Sequence, residues 1–338
     1  VGFPHTCQVP DFERISGLAL AAPRPAWQNP GMPTPPQARP SPAELPGRAF
    51  RLVKRLVVEH RPAMQVQTPT PSTWHPDRLT VSCLGHATCL ISLGGRMVLT
   101  DPALLDRVGV GLPGETTLGP ARVTRPALTI PELPTIDVVA VSHAHPDHMD
   151  LGTLARLAWK GRVLIVPRGT RDIVAGCGFA DIREIAVGER IDVDGVVVRA
   201  VPVAHYGRRH ALDRTPGRGY HGYIFERDDR RVFFGGDTAH TVFPPDVAPD
   251  GVDVACFGIG AYQPFVWNHA TPEQAWDMAR QLRARYLLPM HHSTFILSDE
   301  PVDEPLQRLL RVAGDDVARV VGRSFGEAFE VPATGGTP

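Results

Sequence analysis

An apolar run, Ile136-Asp137-Val138-Val139-Ala140-Val141, delivers the chain straight into VSHAHPDHMD at 141–150. No other feature constrains the fold as strongly. Val138, Val139, Ala140 and Val141 read as a strand covered on both faces, because nothing in them alternates with polar residues. Directly after it come His143, His145, Asp147 and His148 in the pattern H-x-H-x-D-H. Residues two apart in extended chain point to one side, so His143 and His145 can aim at a common point. A turn at Pro146 then lets Asp147 and His148 face a second point close by. Imidazole nitrogen and carboxylate oxygen are donors suited to zinc and similar divalent ions. One tetrahedral ion cannot use all four of these together with further ligands, so two adjacent metals are the economical reading.

The remaining ligands should come from other strand ends. His205 follows the run 195–204, Asp237 ends RVFFGGD, and His291 follows RYLLPM. Gly235 and Gly236 allow close backbone approach next to Asp237, and its two oxygens suit it to bridge two ions. The runs LTVSCL, TCLISL, RMVLT, RVLIVP, GYIFE and VDVACFGIG complete a strand-rich body from Leu79 onward. The early strands follow one another across turns such as Gly94-Gly95, which predicts antiparallel hairpins. Helices are expected near 150–160, 170–176, 272–284 and 303–312. Thr271-Pro272-Glu273 marks one start, with Thr as cap and Pro at the first position.

Several stretches resemble the metallo-β-lactamase superfamily, and within it the branch holding N-acylphosphatidylethanolamine-hydrolysing phospholipase D and the ascorbate-6-phosphate lactonases. They are H-x-H-x-D-H itself, Gly85-His86-Ala87-Thr88, Leu99-Thr100-Asp101-Pro102, Pro131-Glu132-Leu133-Pro134, Phe234-Gly235-Gly236-Asp237-Thr238, Ile259-Gly260-Ala261-Tyr262 and His291-His292-Ser293-Thr294-Phe295. The likeness covers about 79–312. It implies an α/β fold, a four-layer αββα sandwich, over a domain 79–338; residues 1–78, outside the likeness, read by composition as a proline-rich N-terminal arm with a short amphipathic helix. It also implies one metal on His143, His145 and His205, and another on Asp147, His148 and His291, with Asp237 between them.

The implied cofactors are two divalent ions, zinc first, with manganese or iron as alternatives. The implied activity is hydrolysis by a metal-bridging hydroxide. A phosphodiesterase of phospholipase D type, acting on a small-molecule or lipid-like substrate, is favoured. A lactonase with the same centre is the nearest rival, and a non-catalytic metal-binding scaffold is a third reading. His145 stands where the flavo-di-iron branch carries an acid, which favours hydrolysis over oxygen chemistry.

Around these ligands Asp147 and Asp237 are expected to be catalytic, and His269 to donate to a substrate oxygen or to sit in the loop that caps the following helix. Asp101 is expected to orient a ligand histidine, with a plain strand-end turn as the alternative. His292 is expected beside the ligand His291, and His86 to be structural. Tyr206, Tyr262, Phe265 and Trp267 could wall a pocket for an acyl chain, and His240 could line its mouth. Arg208-Arg209-His210 could receive a phosphate or form a solvated loop.

Composition excludes some partners. A formal net charge of −1 gives no electrostatic argument for nucleic acid. No apolar run reaches the length of a membrane-spanning helix. Residues 1–47 are proline-rich and lack the means to form a core. Residues 48–60 read as a basic amphipathic helix docked on the domain, with peripheral membrane contact as the alternative. The cysteine count is 5 and no CxxC occurs, so the cysteines are expected as buried core residues of a cytoplasmic protein. Homo-oligomerisation is left open.

Overall fold

The structure, a computed structural model, describes residues 64–111, 117–210 and 212–333. The proline-rich stretch 1–47, the amphipathic stretch 48–60 and Cys7 lie outside the described residues.

In chain order the strands are β1 (Thr80–Gly85), β2 (Thr88–Leu93), β3 (Arg96–Thr100), β4 (Val110–Gly111), β5 (Thr117–Leu118), β6 (Ile136–Ala140), β7 (Gly161–Pro167), β8 (Ile182–Ile185), β9 (Arg190–Val193), β10 (Val196–Val201), β11 (Gly222–Arg227), β12 (Arg230–Phe234), β13 (Val254–Gly258), β14 (Tyr286–Met290) and β15 (Phe329–Glu330). The helices are α1 (Leu151–Leu157), α2 (Arg171–Val174), α3 (Pro272–Gln281) and α4 (Glu304–Ala313). They form a 7-stranded sheet, β15-β1-β2-β3-β6-β7-β8, and a 6-stranded sheet, β14-β13-β12-β11-β10-β9, with β4 and β5 as a separate hairpin.

Alternation explains how two sheets become four layers. Along β6, Val138 and Ala140 face the second sheet, meeting Val198, Tyr223, Phe234 and Met290 in the inner core. Val139, and Val141 just past the strand, face outward with Leu154 and Leu157 of α1. On the second sheet Phe233, Ala255, Phe257 and Leu287 turn outward to Ala275, Trp276 and Ala279 of α3 and Leu309 of α4. Strands covered on both faces have no polar side, hence the unbroken apolar runs. The architecture is the expected αββα sandwich. Residues before Leu79 also lie on it: Val66 bridges to Phe325, and Trp74 packs against the outer core of the first sheet.

Turn chemistry follows the sequence closely. The β2–β3 hairpin closes at Gly94 and Gly95, with φ of +57° and +75°, the left-handed pair that a tight hairpin demands. Thr271 accepts the Gln274 N–H while Gln274 accepts the Thr271 N–H, a complete capping box ahead of α3. Cys83, Cys89, Cys177 and Cys256 are buried free thiols, as the cysteine pattern led one to expect.

Strand direction decides where the site lies. β1 is antiparallel to β2 and β2 to β3, so β1 and β3 run the same way, in step with β6. In the second sheet two antiparallel pairings return β12 to the direction of β10, and β13 and β14 continue it. His86, Asp101 and His143 therefore follow co-directional strands of one sheet. His205, Asp237 and His291 do the same in the other.

Candidate metal centre

The loop after β6 is wound tightly, with the His145 carbonyl accepting from the His148 and Met149 N–H groups at 3.0 and 2.8 Å. Arg209 staples it from outside, its guanidinium donating to the Ala144 and Met149 carbonyls at 2.9 and 3.0 Å. Gly236 sits close against Ser142, where a Cβ would stand 2.6 Å from the serine side chain. That absence brings Asp237 to the histidine loop.

Hydrogen bonds fix which ring nitrogens carry lone pairs. The Ser142 hydroxyl lies 2.6 Å from Asp101 Oδ2 and donates to it. It can then only accept from His143 Nδ1, 2.9 Å away. His205 Nδ1 lies 3.2 Å from the Asn268 carbonyl, and His148 Nδ1 lies 2.6 Å from Asp101 Oδ2. Each of these Nδ1 atoms carries the proton, which leaves Nε2 of His143, His148 and His205 bare and facing inward. His145 Nδ1 meets two of them, at 2.8 Å from His143 Nε2 and 3.2 Å from His205 Nε2. One nitrogen cannot satisfy both lone pairs.

The second cluster carries the same mismatch. Asp237 places Oδ2 3.1 Å from His148 Nε2 and Oδ1 3.2 Å from His291 Nε2. Asp147 Oδ2 lies 3.5 Å from His291 Nε2 and 3.6 Å from His148 Nε2. Yet His148 Nε2, His291 Nε2 and Asp237 Oδ1 are buried without a hydrogen bond, an arrangement that is costly unless a ligand satisfies it. His143, His145, His205 and Asp237 form one group able to hold a metal ion, and His86, Asp147, His148 and His291 another.

The electrostatics agree. Burial acts to raise both Asp147 and Asp237, but the surrounding imidazoles, His148 foremost, hold the two carboxyls well below their usual range. Burial likewise opposes charge on His148, but Asp237, Asp147 and Asp101 overcome it and push that ring well above its ordinary value. Burial depresses His143 strongly and takes His205 to about 3. The buried carboxylates thus draw positive charge to His148 while His143 and His205 stay neutral, and a divalent cation on His148 Nε2 would supply the charge that a proton there otherwise would.

His86, expected from the sequence to be structural, lies against the second cluster. Its Nε2 lies 3.0 Å from Asp147 Oδ2, and its carbonyl accepts the His291 N–H at 2.8 Å. It therefore touches the second cluster twice. The available signal was parity: two consecutive hairpins return β3 to the direction of β1, so a polar residue after β1 shares the rim with one after β3.

An open cleft of about 780 Å³ lies over the site, lined among others by His145, Asp147, Asp237, His269, Tyr206 and Phe265. His269 has its Nδ1 3.7 Å from Asp237 Oδ2, and burial lowers it to about 4. Tyr206 stacks on His205 with ring centres 4.8 Å apart. Trp267 stands edge-on to Phe265 at the surface.

Other candidates lie elsewhere. Tyr262 is buried and directs its hydroxyl to Glu304 at 2.7 Å, away from the cleft that its neighbour Ala261 lines. His240 turns outward to Asp277 on α3 at 2.9 Å, because that exposed carboxylate offers it a partner. His292 bonds Ser293 and packs on Phe325, so His291 alone of the pair faces the cluster. His221 is buried with its Nε2 on the Ile185 carbonyl.

Fold and donor set together define a metalloprotein whose site lies at the strand-end rim of an αββα sandwich. The family model described as a beta-lactamase superfamily domain matches residues 96–292, and the chain belongs to the metallo-β-lactamase superfamily, as a metal-dependent hydrolase. It is 32% identical to an uncharacterized protein of Mycobacterium tuberculosis, over 78% of this chain and 73% of that one. It is 28% identical to the mitochondrial N-acyl-phosphatidylethanolamine-hydrolyzing phospholipase D of Saccharomyces cerevisiae, over 72% of this chain and 52% of that one. Among solved structures, the metallo hydrolase Igni18 from Ignicoccus hospitalis shares the fold at a TM-score of 0.55 and 18% identity, over 76% of this chain and 99% of that one.

Proposed function

We propose that the chain is a phosphodiesterase of phospholipase D type that works with two divalent cations. His143, His145 and His205 hold one, Asp147, His148 and His291 the other, and Asp237 serves both. A mixed imidazole and carboxylate set suits zinc, with manganese and iron as alternatives. When bound, the ions supply the positive charge that makes water nucleophilic near neutral pH and that offsets charge growing on the phosphoryl oxygens.

The observation that carries this reading is the cleft lining, which among the described residues includes no Ser, Thr, Cys or Lys. With no protein nucleophile of those kinds at hand, water attacks phosphorus. Asp101 keeps His148 in the tautomer that presents Nε2. His269, held neutral by burial, can donate a hydrogen bond from its ring N–H to the leaving oxygen, whose proton comes from the attacking water. Tyr206 and Phe265 give the apolar part of a lipid-like substrate a wall. The yeast and Caenorhabditis elegans relatives named as N-acyl-phosphatidylethanolamine-hydrolyzing phospholipases D, each 28% identical, support the choice of a phosphodiester.

The test is metal analysis of the purified protein together with a panel of bis-p-nitrophenyl phosphate, an N-acyl phosphatidylethanolamine and a lactone. Two ions per chain and diester turnover are expected. A protein that opens the lactone and leaves both diesters intact overturns the assignment.

A further inference from the structure

Beside the metal cleft lies a second pocket of about 580 Å³, lined by Tyr206, Gly207, Arg208, Arg214, Arg218 and the Thr215-Pro216-Gly217 turn. Tyr206 and Arg208 line both spaces, so the two are continuous across one tyrosine that itself touches His145 and His205.

The loop that builds this pocket is tightly organised. Asp213 accepts the Arg209 N–H through Oδ2 and the Thr215 N–H through Oδ1, both at 3.0 Å, and pairs with Arg218 Nε at 2.7 Å. Arg218 spends its other nitrogens on Asp172, at 2.8 and 3.1 Å, and on the Gly169 carbonyl at 2.8 Å. A Cβ on Gly207 would collide with the carbonyl oxygens of Arg218 and Gly219, so the loop closes on itself only because that residue is glycine. Both nearby carboxylates are thereby consumed. Arg208 and Arg214 line the pocket with no hydrogen bond or ion pair of their own among the described residues. A concavity whose acids are occupied and whose two remaining guanidiniums are free presents net positive charge, and guanidinium forks bind carboxylate and phosphate oxygens in pairs.

We propose that this pocket is an anion subsite, in which Arg208 and Arg214 receive a second anionic group of the substrate, a carboxylate or a phosphate monoester, while the scissile diester lies at the metals. This gives the phosphodiester reading a preference for substrates with a second, separated negative group, and it rests on that reading. Arg209 takes no part, because its guanidinium is committed to the histidine loop.

Two measurements test it. The first needs no turnover: calorimetric titration of the metal-loaded protein with inorganic phosphate, for the wild type and for the Arg208→Gln/Arg214→Gln variant. One phosphate-binding event should disappear in the variant at unchanged metal content. An isotherm the same in both proteins overturns the subsite, whether or not any diester is hydrolysed. The second compares methyl p-nitrophenyl phosphate with its 2-carboxyethyl and 2-phosphonoethyl counterparts. The wild type should prefer an anionic arm in kcat/KM by about tenfold, a preference that falls towards one in the variant and in high salt. A preference that survives both substitutions sinks the substrate assignment. If no diester is turned over at all, the phosphodiesterase reading fails while the phosphate titration still decides the subsite.

Discussion

The two rims of the sandwich use the same chemical types to opposite ends. At the rim where β3, β6 and β7 begin, Arg96 and Arg162 flank Asp137 at 3.2 Å each, and Arg162 reaches Asp194 at 3.2 Å. In the second sheet Asp253 accepts from Arg285 at 2.9 Å and from the Arg231 N–H at 3.0 Å. Charge there is set against opposite charge within reach of water, although Arg227 Nε and Arg230 Nη1 make no hydrogen bond. At the other rim imidazole meets imidazole and carboxylate meets several rings, His143, His148, Asp237 and His291 buried and His145, Asp147 and His205 half-buried, with ring nitrogens left unsatisfied. Left-handed backbone occurs at both rims: His86, Asp101 and His291 take φ of 56°, 35° and 58° at the histidine rim, and at the other Arg283 takes 48° while Asp194 and Asp228 take 50° and 54° in hairpin turns that suit aspartate. The paired rim sets unlike charges together, whereas the histidine rim crowds like lone pairs that a bound cation could satisfy, and the packed sheets hold them so.

That contrast can be broken at its strongest point. Asp147→Asn and Asp237→Asn should each reduce turnover by ~10³-fold or more with an unchanged circular dichroism spectrum. A wild-type rate in either would remove the buried rim from the mechanism. Chelation is next. Stripping the ions should lower the thermal midpoint by about 10 °C, recovered on adding zinc, and a midpoint indifferent to chelator would mean that the rim tolerates its unsatisfied nitrogens unaided.

Residues behind the ligands should have intermediate effects. His86→Ala and Asp101→Asn should each weaken binding of at least one ion by about 10–100-fold, read as metal retained after dialysis. Retention equal to wild type would reduce both to packing.

A buried histidine outside the proposed ligand set tests the acid side. Burial lowers His221 to about 4, while in the unfolded chain it titrates near 6.5. The unfolded state thus binds more protons between those values, and the stability present above about pH 6.5 is lost as pH falls towards 4. Melting at a series of pH values should show that decline, and a flat profile contradicts it. The smallest effect belongs to the paired rim: Asp194→Asn should change stability by no more than ~0.5 kcal/mol and leave turnover alone.

Much of the proposed centre was legible because its candidate ligands are sequential neighbours or mark strand ends. H-x-H-x-D-H needs no fold to be noticed. His205, Asp237 and His291 stand out as polar residues immediately after apolar runs. What escaped notice did so for identifiable reasons. The edge strands β8 and β9 hide because IREI and RIDV carry charges on their open sides, as edges commonly do. His86 looked like a link between two runs, since only the pairing of β1 through β3 shows which rim it occupies. His240 sat close in sequence to Asp237, and Tyr262 lay in a stretch that resembles the family, but Asp277 and Glu304, distant in sequence, drew them away.

The sequence by itself determined the donor chemistry, the strands that carry it and the turns that end them, because periodicity, capping and glycine placement act over a few residues. Tertiary structure alone decided which rim each strand end joins, which ring nitrogen keeps its lone pair, and which arginines stay free at the pocket. Those outcomes depend on strand pairing and on competition among partners far apart in the chain, and no local pattern encodes them.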